Sequence, residues 1–361
     1  MAELGHFNME YKYPVAKPSL KGNELEYVTD AVKREWISSQ GNYVKKFEEE
    51  FAKWNNRKYG IACSSGTNAL ILAIRALNLS PGDEVIVPEF TMIASAWAVD
   101  YGGGIPVFVD CKDDLNIDEK SIEGKLTSRT KAIMPVHIYG RKCNMDKIND
   151  IAYNYNLSVV EDSSEAHGVK PTGDIACFSL YANKIITSGE GGICVTDDER
   201  LARQMDHLKA MAFTPQHDFL HPKRAYNFRM TNLQGAVALA QFEKIEEILE
   251  RRREIERNYN EGLKEVNGVT LMPERDVLWM YDILAQDREG LQKYLEEHGI
   301  ETRKFFKPMS QQPMYYNPNW EKLNAVRFSR DGLYLPTYFD LTKENQEEIV
   351  QRIKDFYNRK D

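Results

Sequence analysis

The chain has 361 residues, of which 42% are hydrophobic, and this length favours two or three domains with large cores. Its 47 Lys and Arg against 55 Asp and Glu give a formal net charge of −8, which argues against a nucleic-acid partner because phosphate binding requires clustered excess cations. No apolar run is long enough to span a membrane, and the N-terminus (MAELGHFNMEYKYP) lacks the layout of a signal peptide. We therefore expect an intracellular, cytoplasmic protein.

Short apolar runs alternate with helix-period stretches through the first two-thirds of the chain, a pattern typical of a mostly parallel sheet covered by helices. Helices are predicted between several of the strands. The predicted strands are 59–63, 84–87, 106–109, 131–134, 158–161, 176–179 and 192–195, and the helices that follow three of them are 68–77, 91–101 and 146–155.

Residues 231–263 combine apolar residues at helical spacing with dense charge, which predicts one long helix or two joined end to end. We place a domain boundary there, with a large α/β domain over residues 1–245 and a smaller C-terminal domain over residues 246–361. The smaller domain is predicted to contain a helix near 287–298, a Pro-rich segment and a closing helix over 342–357.

The cysteines and histidines do not indicate a metal site. Five dispersed cysteines form no C-x-x-C pair, so reduced thiols that pack in strands are favoured over a disulfide framework or a zinc cage. The segment HDFLH, residues 217–221, has zinc-like spacing but lacks the Glu of an HExxH motif, and a charged surface loop is the favoured interpretation.

Three stretches carry groups with possible chemistry. In CSSGTNALILAIRAL, Gly66 stands where a strand meets an amphipathic helix, and free N–H groups at a helix start form an anion site, although an ordinary Ser or Thr cap explains the same pattern. In SVVEDSSEAHG, Asp162 ends a β-rich run, where open α/β sheets bind ligands, although this stretch taken alone favours a turn-forming Asp.

The third stretch is FSLYANKIITSGEGG, in which Lys184 follows a predicted strand among small and aromatic residues. A Lys that loses hydration there becomes a nucleophile for carbonyl groups, whereas a snorkelling Lys would keep its amine in water. A phosphate cradle, a strand-end carboxylate and a buried amine, in this chain order, are what pyridoxal 5'-phosphate (PLP) requires of a protein. The sequence contains no P-loop, and its triple glycine (102–104) precedes a strand, unlike a dinucleotide fingerprint.

Several blocks in order closely resemble the StrS/DegT-type sugar aminotransferases, PLP enzymes of the aspartate aminotransferase fold (fold type I). The blocks are WISSQGNYVKKFEEEFAKW, ACSSGTNAL, GDEVIVPEFT, PVHIYG, VVEDSSEAHG, FSLYANKIITSGEGG and YNFRMTNLQGAVALAQ. The likeness runs from about Val15 to the C-terminus and implies a large, mostly parallel-sheet α/β domain with a smaller C-terminal α+β domain.

The resemblance implies a role for each matching residue. Lys184 would bind the cofactor aldehyde covalently and move the proton, and Asp162 would pair with the pyridinium nitrogen. Gly66, Thr67 and Ser179 would bind the phosphate. Asn227 would enter the phosphate site of a neighbouring subunit, which implies a homodimer with shared active sites. The residues expected to contact the substrate are Trp36, Ser38, Phe305 and Lys307.

Two positions depart from the common family pattern. Glu165 stands where many relatives have a Gln that approaches the cofactor's phenolic oxygen, so this carboxylate would have to be protonated or to interact differently. Met92 stands where many relatives have an aromatic residue stacked on the pyridine ring, and its thioether would cover the ring with less rigidity.

The implied reaction transfers an amino group from L-glutamate, which leaves as 2-oxoglutarate, to C4 of a nucleotide-linked 4-keto-6-deoxyhexose, with the cofactor cycling through pyridoxamine 5'-phosphate. The blocks TMIASAWAV and TRKFFKPMSQQPM look most like relatives that make perosamine or viosamine derivatives. The nucleotide (UDP, GDP or dTDP) and the gluco or manno configuration stay open, and so does amination at C3.

Three further functions fit the sequence less well. PLP-dependent 3-deoxygenation uses a His where this chain has Lys184, and a non-catalytic regulator that binds a nucleotide sugar would not be expected to keep Lys184, Asp162 and Ser179 together. An unrelated dehydrogenase is disfavoured by the missing glycine fingerprint.

Overall fold

The computed structural model describes residues 11–214 and 219–359. A seven-stranded sheet occupies the first part of the chain, in the order β1-β7-β6-β5-β4-β2-β3. Strands β2 to β6 run parallel to their neighbours, and β7 pairs antiparallel with β1 and with β6. The strands are β1 (Tyr59–Cys63), β2 (Glu84–Pro88), β3 (Ile105–Val109), β4 (Thr130–Ile133), β5 (Ser158–Asp162), β6 (Ile175–Ser179) and β7 (Gly192–Thr196).

Helices cover both faces of this sheet. Strands β2, β6 and β7 are buried along their whole length, as expected for strands enclosed by helices. The helices are α1 (Glu24–Lys33), α2 (Asn42–Trp54), α3 (Gly66–Ala76), α4 (Ile93–Gly102), α5 (Glu119–Ile122), α6 (Met145–Tyr155) and α7 (Glu199–Lys209). The seven strands and the three helices predicted between them are confirmed, with boundary shifts of one or two residues.

Of the two alternatives predicted for residues 231–263, the structure shows two helices, α8 (Asn232–Phe242) and α9 (Ile245–Leu263). A capping box between Thr231 and Gln234 starts α8, and Lys244 leaves the helical conformation with φ −105° and ψ 9°. The break lets α8 pack on α1 and α2 while α9 packs on the C-terminal helix.

A second, antiparallel sheet follows in the order β10-β11-β9-β8. Its elements are β8 (Val269–Leu271), β9 (Tyr281–Ala285), α10 (Arg288–Glu297), β10 (Arg303–Lys304), α11 (Asn324–Asp331), β11 (Gly332–Leu335) and α12 (Lys343–Asn358). The predicted division at residue 245 coincides with the start of α9, and the division into domains stays a prediction. The segment at Tyr13 and Val15 hydrogen-bonds to Gly299, Glu301 and Thr337, which lie in the predicted C-terminal domain.

All five cysteines are free and buried. Cys177 and Cys194 lie opposite each other on β6 and β7, with their sulfur atoms 3.8 Å apart. The prediction that the thiols are packing residues of the strands is therefore confirmed for this pair.

Candidate active site

Asp162 is the last residue of β5 and is almost fully buried, with 4% of its surface exposed. Its Oδ2 accepts a hydrogen bond of 2.8 Å from the Ser95 hydroxyl, and its Oδ1 accepts one of 3.1 Å from the backbone N–H of Ser164. Ser95 Oγ lies 2.8 Å from Thr91 Oγ1, and both hydroxyls are buried. These contacts engage both carboxylate oxygens and fix the direction in which the side chain points.

The N-terminus of α3 lies against the end of β6. Ser65 caps the helix by accepting a hydrogen bond of 3.2 Å from the backbone N–H of Asn68. A Cβ atom on Gly66 would lie 2.6 Å from Ser179 Cβ and 2.8 Å from Ser179 Oγ, so this position requires glycine. The free N–H groups of the first helical turn and the Ser179 hydroxyl therefore lie together, as an anion such as phosphate requires.

Lys184 lies in the turn that joins β6 to β7, and its side chain is only 12% exposed. Its Nζ is 3.5 Å from Glu165 Oε1 and 4.2 Å from the centroid of the Trp279 ring. A largely enclosed amine with a carboxylate and an aromatic face beside it disfavours the snorkelling alternative. The amine lies between an anion and an aromatic ring.

Glu165 connects the amine to the carboxylate at the end of β5. Its Oε2 accepts a hydrogen bond of 3.0 Å from the backbone N–H of Tyr139, and its side chain is 4% exposed. Burial raises the pKa of Glu165, and the charge of Asp162 adds to this, while Lys184 acts in the opposite direction. Glu165 is thus close enough to both Lys184 and Asp162 for their charges to act on it.

The sequence matches the DegT/DnrJ/EryC1/StrS aminotransferase family over residues 18–354. The chain belongs to this family. It is 40% identical to GDP-perosamine synthase of Escherichia coli O157:H7, with 96% of this chain and 99% of the relative covered. It is 41% identical to GDP-perosamine synthase of Caulobacter vibrioides, with 93% and 96% covered.

Two further similarities broaden the comparison. The aminotransferase is 34% identical to dTDP-3-amino-3,6-dideoxy-alpha-D-galactopyranose transaminase of Aneurinibacillus thermoaerophilus, with 97% of each chain covered. The crystal structure of S. venezuelae DesV in complex with a ketimine intermediate superposes with a TM-score of 0.88 at 28% identity, over 94% of this chain and 95% of that one. The fold is therefore that of the PLP-dependent sugar aminotransferases, as the sequence predicts.

Aminotransferases of this family depend on PLP. The residues present fit that cofactor, because a glycine-bounded helix N-terminus with a facing hydroxyl suits its phosphate and a buried carboxylate suits its ring nitrogen. An enclosed amine suits its aldehyde. When bound, PLP supplies the electron sink that lets a proton leave the carbon bearing the amino group.

Met92 and Asn227, which are both predicted to contact the cofactor, lie in different local structures. Met92 is the N-cap residue of α4, directly after Thr91, and its side chain is 49% exposed. Asn227 is exposed and lies in a short antiparallel bridge with Ala210. No described contact places the Asn227 side chain against Gly66 or Ser179 of its own chain.

The four residues expected to contact the substrate have different environments. Trp36 and Ser38 are exposed, and their backbone carbonyls accept hydrogen bonds from the side chain and backbone N–H of Asn232. Lys307 is exposed as well. Phe305 is only 4% exposed, because its ring packs against Tyr139 and other aromatic residues of the core. The contact of Phe305 with the substrate stays a prediction.

Three residues of the site were missed by sequence reasoning. Ser95 lies in the first turn of α4, four residues after Thr91, and this spacing was the only signal in the sequence that the two hydroxyls meet. The backbone of Tyr139 adopts the left-handed conformation with φ 53°, which directs its N–H towards Glu165 and has no signature in the motif PVHIYG. Trp279 reaches Lys184 from a position 95 residues further along the chain, and only the fold brings the two together.

The described residues were also compared with the predictions on metal sites and membrane spans. Within residues 11–214 and 219–359, no group of three or more His, Cys, Asp or Glu side chains is arranged to bind a metal ion. His217 of the HDFLH segment and the first ten residues, which include most of the N-terminal segment considered above, lie outside the described residues. In the same ranges, none of the helices combines the length and apolar character needed to cross a bilayer.

Proposed function

We propose that the enzyme transfers the amino group of L-glutamate to C4 of a GDP-linked 4-keto-6-deoxymannose, giving GDP-perosamine and 2-oxoglutarate. The observation that carries the proposal is the cluster in which Glu165 lies beside the Lys184 amine and within the electrostatic influence of Asp162. The choice of sugar and nucleotide is supported by the two GDP-perosamine synthases at 40% and 41% identity. They favour the GDP-linked, manno-configured member of the set that the sequence leaves open.

In this proposal the residues of the cluster divide the work. Lys184 would bind the cofactor aldehyde and move the proton at the carbon that gains or loses the amine, because its side chain is only 12% exposed and its amine lies inside the cluster. Asp162 keeps the ring nitrogen protonated, and Ser95 and Ser164 keep its oxygens in place. Glu165 lies next to the amine and accepts a proton or hydrogen bond there.

The phosphate of the cofactor is assigned to Gly66, Thr67 and Ser179, because α3 presents unpaired N–H groups at this end. Met92 is assigned to the face of the ring, with its exposed thioether available for contact. Trp36, Ser38 and Lys307, which are exposed, are retained as contacts for the nucleotide sugar. Phe305 remains a weaker candidate contact, because its ring packs in the aromatic core.

The active unit is proposed to be a homodimer. Asn227 is exposed, and no described contact joins its side chain to Gly66 or Ser179 of its own chain, which is compatible with a role in the site of a second subunit. An intracellular, cytoplasmic location remains part of the proposal, because the amino donor and the nucleotide sugar are both intracellular metabolites.

A second candidate is amination at C3, which is favoured by the 34% identity to the C3 transaminase over 97% of both chains. The two candidates differ in the ring carbon, C4 or C3, whose ketone is replaced by the amine. Neither the cofactor groups nor the residues around Lys184 distinguish them, because these residues act at the reacting carbon whichever ring position it occupies.

The deciding experiment is a substrate panel. The protein, loaded with PLP, is incubated with L-glutamate and GDP-, UDP- or dTDP-linked 4-keto-6-deoxy sugars, and with a 3-keto-6-deoxy sugar nucleotide. Product mass gives amination, and NMR gives the aminated carbon. We expect the GDP-linked 4-keto sugar to give the highest kcat/KM, with product aminated at C4. Amination of the 3-keto sugar alone would establish the second candidate, and no turnover with any sugar would overturn the proposal.

A further inference from the structure

Trp279 lies two residues before β9 and contacts the catalytic lysine from the second part of the chain. Its ring centroid is 4.2 Å from Lys184 Nζ, within the range in which an aromatic face attracts a cation. Its indole Nε1 donates a hydrogen bond of 2.9 Å to the backbone carbonyl of Asn183. One side chain thus contacts both the amine of Lys184 and the peptide group that precedes it.

Trp279 is itself held in a fixed place. Its backbone carbonyl accepts a hydrogen bond of 2.6 Å from the buried guanidinium of Arg252, which lies on α9. Its ring packs 5.8 Å from the rings of Tyr139 and Tyr334, and only 3% of the residue is exposed. A side chain enclosed on this scale has little rotamer freedom, so its ring and its N–H keep their directions.

Lys has four rotatable side-chain bonds, and a free amine would sample many positions in the turn between β6 and β7. In the structure, Nζ lies between the Glu165 carboxylate at 3.5 Å and the Trp279 ring at 4.2 Å. The contact with the carboxylate alone would fix the distance of the amine from one oxygen but not its direction. The ring supplies the second contact, and the Asn183 carbonyl fixes the backbone from which the side chain extends.

We propose that Trp279 is a positioning residue for Lys184: the indole N–H anchors the turn at Asn183 and the ring face holds the amine where it reacts. This inference rests on the proposed function, in which Lys184 carries the cofactor. With Trp279, the proposed site includes a residue from the second part of the chain. A purely structural Trp would stabilise the fold without affecting the reactivity of the amine.

The test uses the full-length protein with two substitutions of Trp279. Trp279→Phe keeps an aromatic face and removes the indole N–H, and Trp279→Leu removes both. The chain offers a matched control in Trp54→Phe, because Lys170 Nζ lies 3.5 Å from the Trp54 ring and Trp54 Nε1 donates to Glu246, outside the site. Circular dichroism and thermal melting establish that each variant is folded at the assay temperature.

The first readout is the rate at which added PLP forms a borohydride-reducible bond to Lys184. We expect Trp279→Leu to slow bond formation by about tenfold and Trp279→Phe by about threefold, while Trp54→Phe reacts like the wild type. Wild-type rates in both Trp279 variants would overturn the proposal. If Trp279→Leu does not fold, Trp279→Phe decides alone, a rate lower by about threefold supporting the proposal and an unchanged rate overturning it.

The second readout separates positioning from general support of the site. In a Lys184→Ala background, Trp279→Phe should leave the equilibrium affinity for PLP unchanged, because the residue through which Trp279 acts is absent. A loss of affinity there as large as in the single variant would overturn the proposal in favour of a structural role.

A third readout distinguishes failure of this inference from failure of the proposed function. If the wild type forms no reducible bond at Lys184, the proposed function fails, and labelling of the PLP-free chain with a small amine-reactive reagent then tests Trp279 by itself. Faster labelling of Lys184 in Trp279→Leu, measured by peptide mass, supports the positioning contact. Equal labelling in wild type and variant overturns it.

Discussion

Ser95 on α4 donates a hydrogen bond of 2.8 Å to Asp162 at the end of β5. The two residues are separated by 67 positions in the chain, and both are buried where α4 begins. Thr91 lies 2.8 Å from the same hydroxyl. A buried carboxylate that accepts from a hydroxyl and from the Ser164 N–H is presented in one orientation, as pairing with a ring nitrogen requires.

Ser95→Ala should slow transamination by about tenfold, because a hydrogen bond to a charged group contributes about 1.5 kcal/mol or more and this one orients the carboxylate. The measurement is kcat/KM with L-glutamate and the GDP-linked keto sugar. The matched control is Ser121→Ala, which removes a hydroxyl bonded to Asp118 at 2.5 Å on the surface. Equal rates in the two variants would mean that Asp162 needs no help from Ser95.

Asp162→Asn should reduce kcat by about a hundredfold or more, the range found when one preorganised electrostatic contact is removed from an active site. The amide cannot keep the ring nitrogen protonated, so the cofactor becomes a poorer electron sink. Asp113→Asn, at an exposed ion pair with Arg327, serves as the control. Near wild-type turnover would show that another residue pairs with the nitrogen.

Lys184→Ala should still bind PLP but lose transamination, because the proposed phosphate and ring contacts come from other residues and the proposed reactive amine is that of Lys184. Borohydride treatment followed by peptide mass mapping should place the cofactor on Lys184 in the wild type and on no lysine in the variant. Normal turnover by the variant would contradict the assigned role.

Glu165→Gln should change how stability depends on pH. Burial raises the pKa of Glu165 above its usual 4.5. At pH values between the unfolded-state and the folded-state pKa, the folded state therefore binds more protons than the unfolded state. The contribution to stability is therefore present below pH 4.5 and is lost as the pH rises through the folded-state pKa. We expect the melting temperature of PLP-free Glu165→Gln to increase relative to that of the wild type as the pH rises towards neutrality.

The control for this pH series is Glu49→Gln, at an exposed position on α2 with a long ion pair to Lys45. Its melting temperature should follow that of the wild type at every pH. A constant difference between Glu165→Gln and the wild type from about pH 4 to about pH 8 would show that Glu165 does not titrate differently in the folded chain.

Asn227→Ala should weaken PLP binding while the dimer remains intact, because its contact with the phosphate is proposed to cross the interface. Mixing Asn227→Ala with Lys184→Ala chains tests this directly. In a mixed dimer, one site carries both substitutions and the other carries neither, so at limiting PLP the mixture should be more active than either variant alone. If Asn227 acts within its own chain, each site in the mixed dimer retains one defect and mixing gives no gain in activity.

Much of this architecture could be predicted from local pattern. The strands that end at Cys63, Asp162 and Ser179 are short apolar runs. Their positions can be predicted from alternating or continuous apolar residues alone, without knowledge of distant segments. Gly66, Asp162 and Lys184 each stand at the end or start of such an element, so their place at the edge of a parallel sheet followed from the order of strands and helices. The sequence left open whether one helix or two follow residue 231, because helical periodicity continues across Lys244, where the structure places the break.

The partners of these residues depended on the packing of distant segments. The chain order of Gly66, Asp162 and Lys184 predicted a PLP site because each group is recognisable by its own neighbours in sequence. Asp162, Glu165 and Lys184 each have a partner that lies 26 to 95 positions away in the chain. These partners are the Ser95 hydroxyl for Asp162, the Tyr139 N–H for Glu165 and the Trp279 ring for Lys184. Local propensity carries no information about such pairs, since the enclosure of the core sets which side chains meet and burial then determines how strongly they interact.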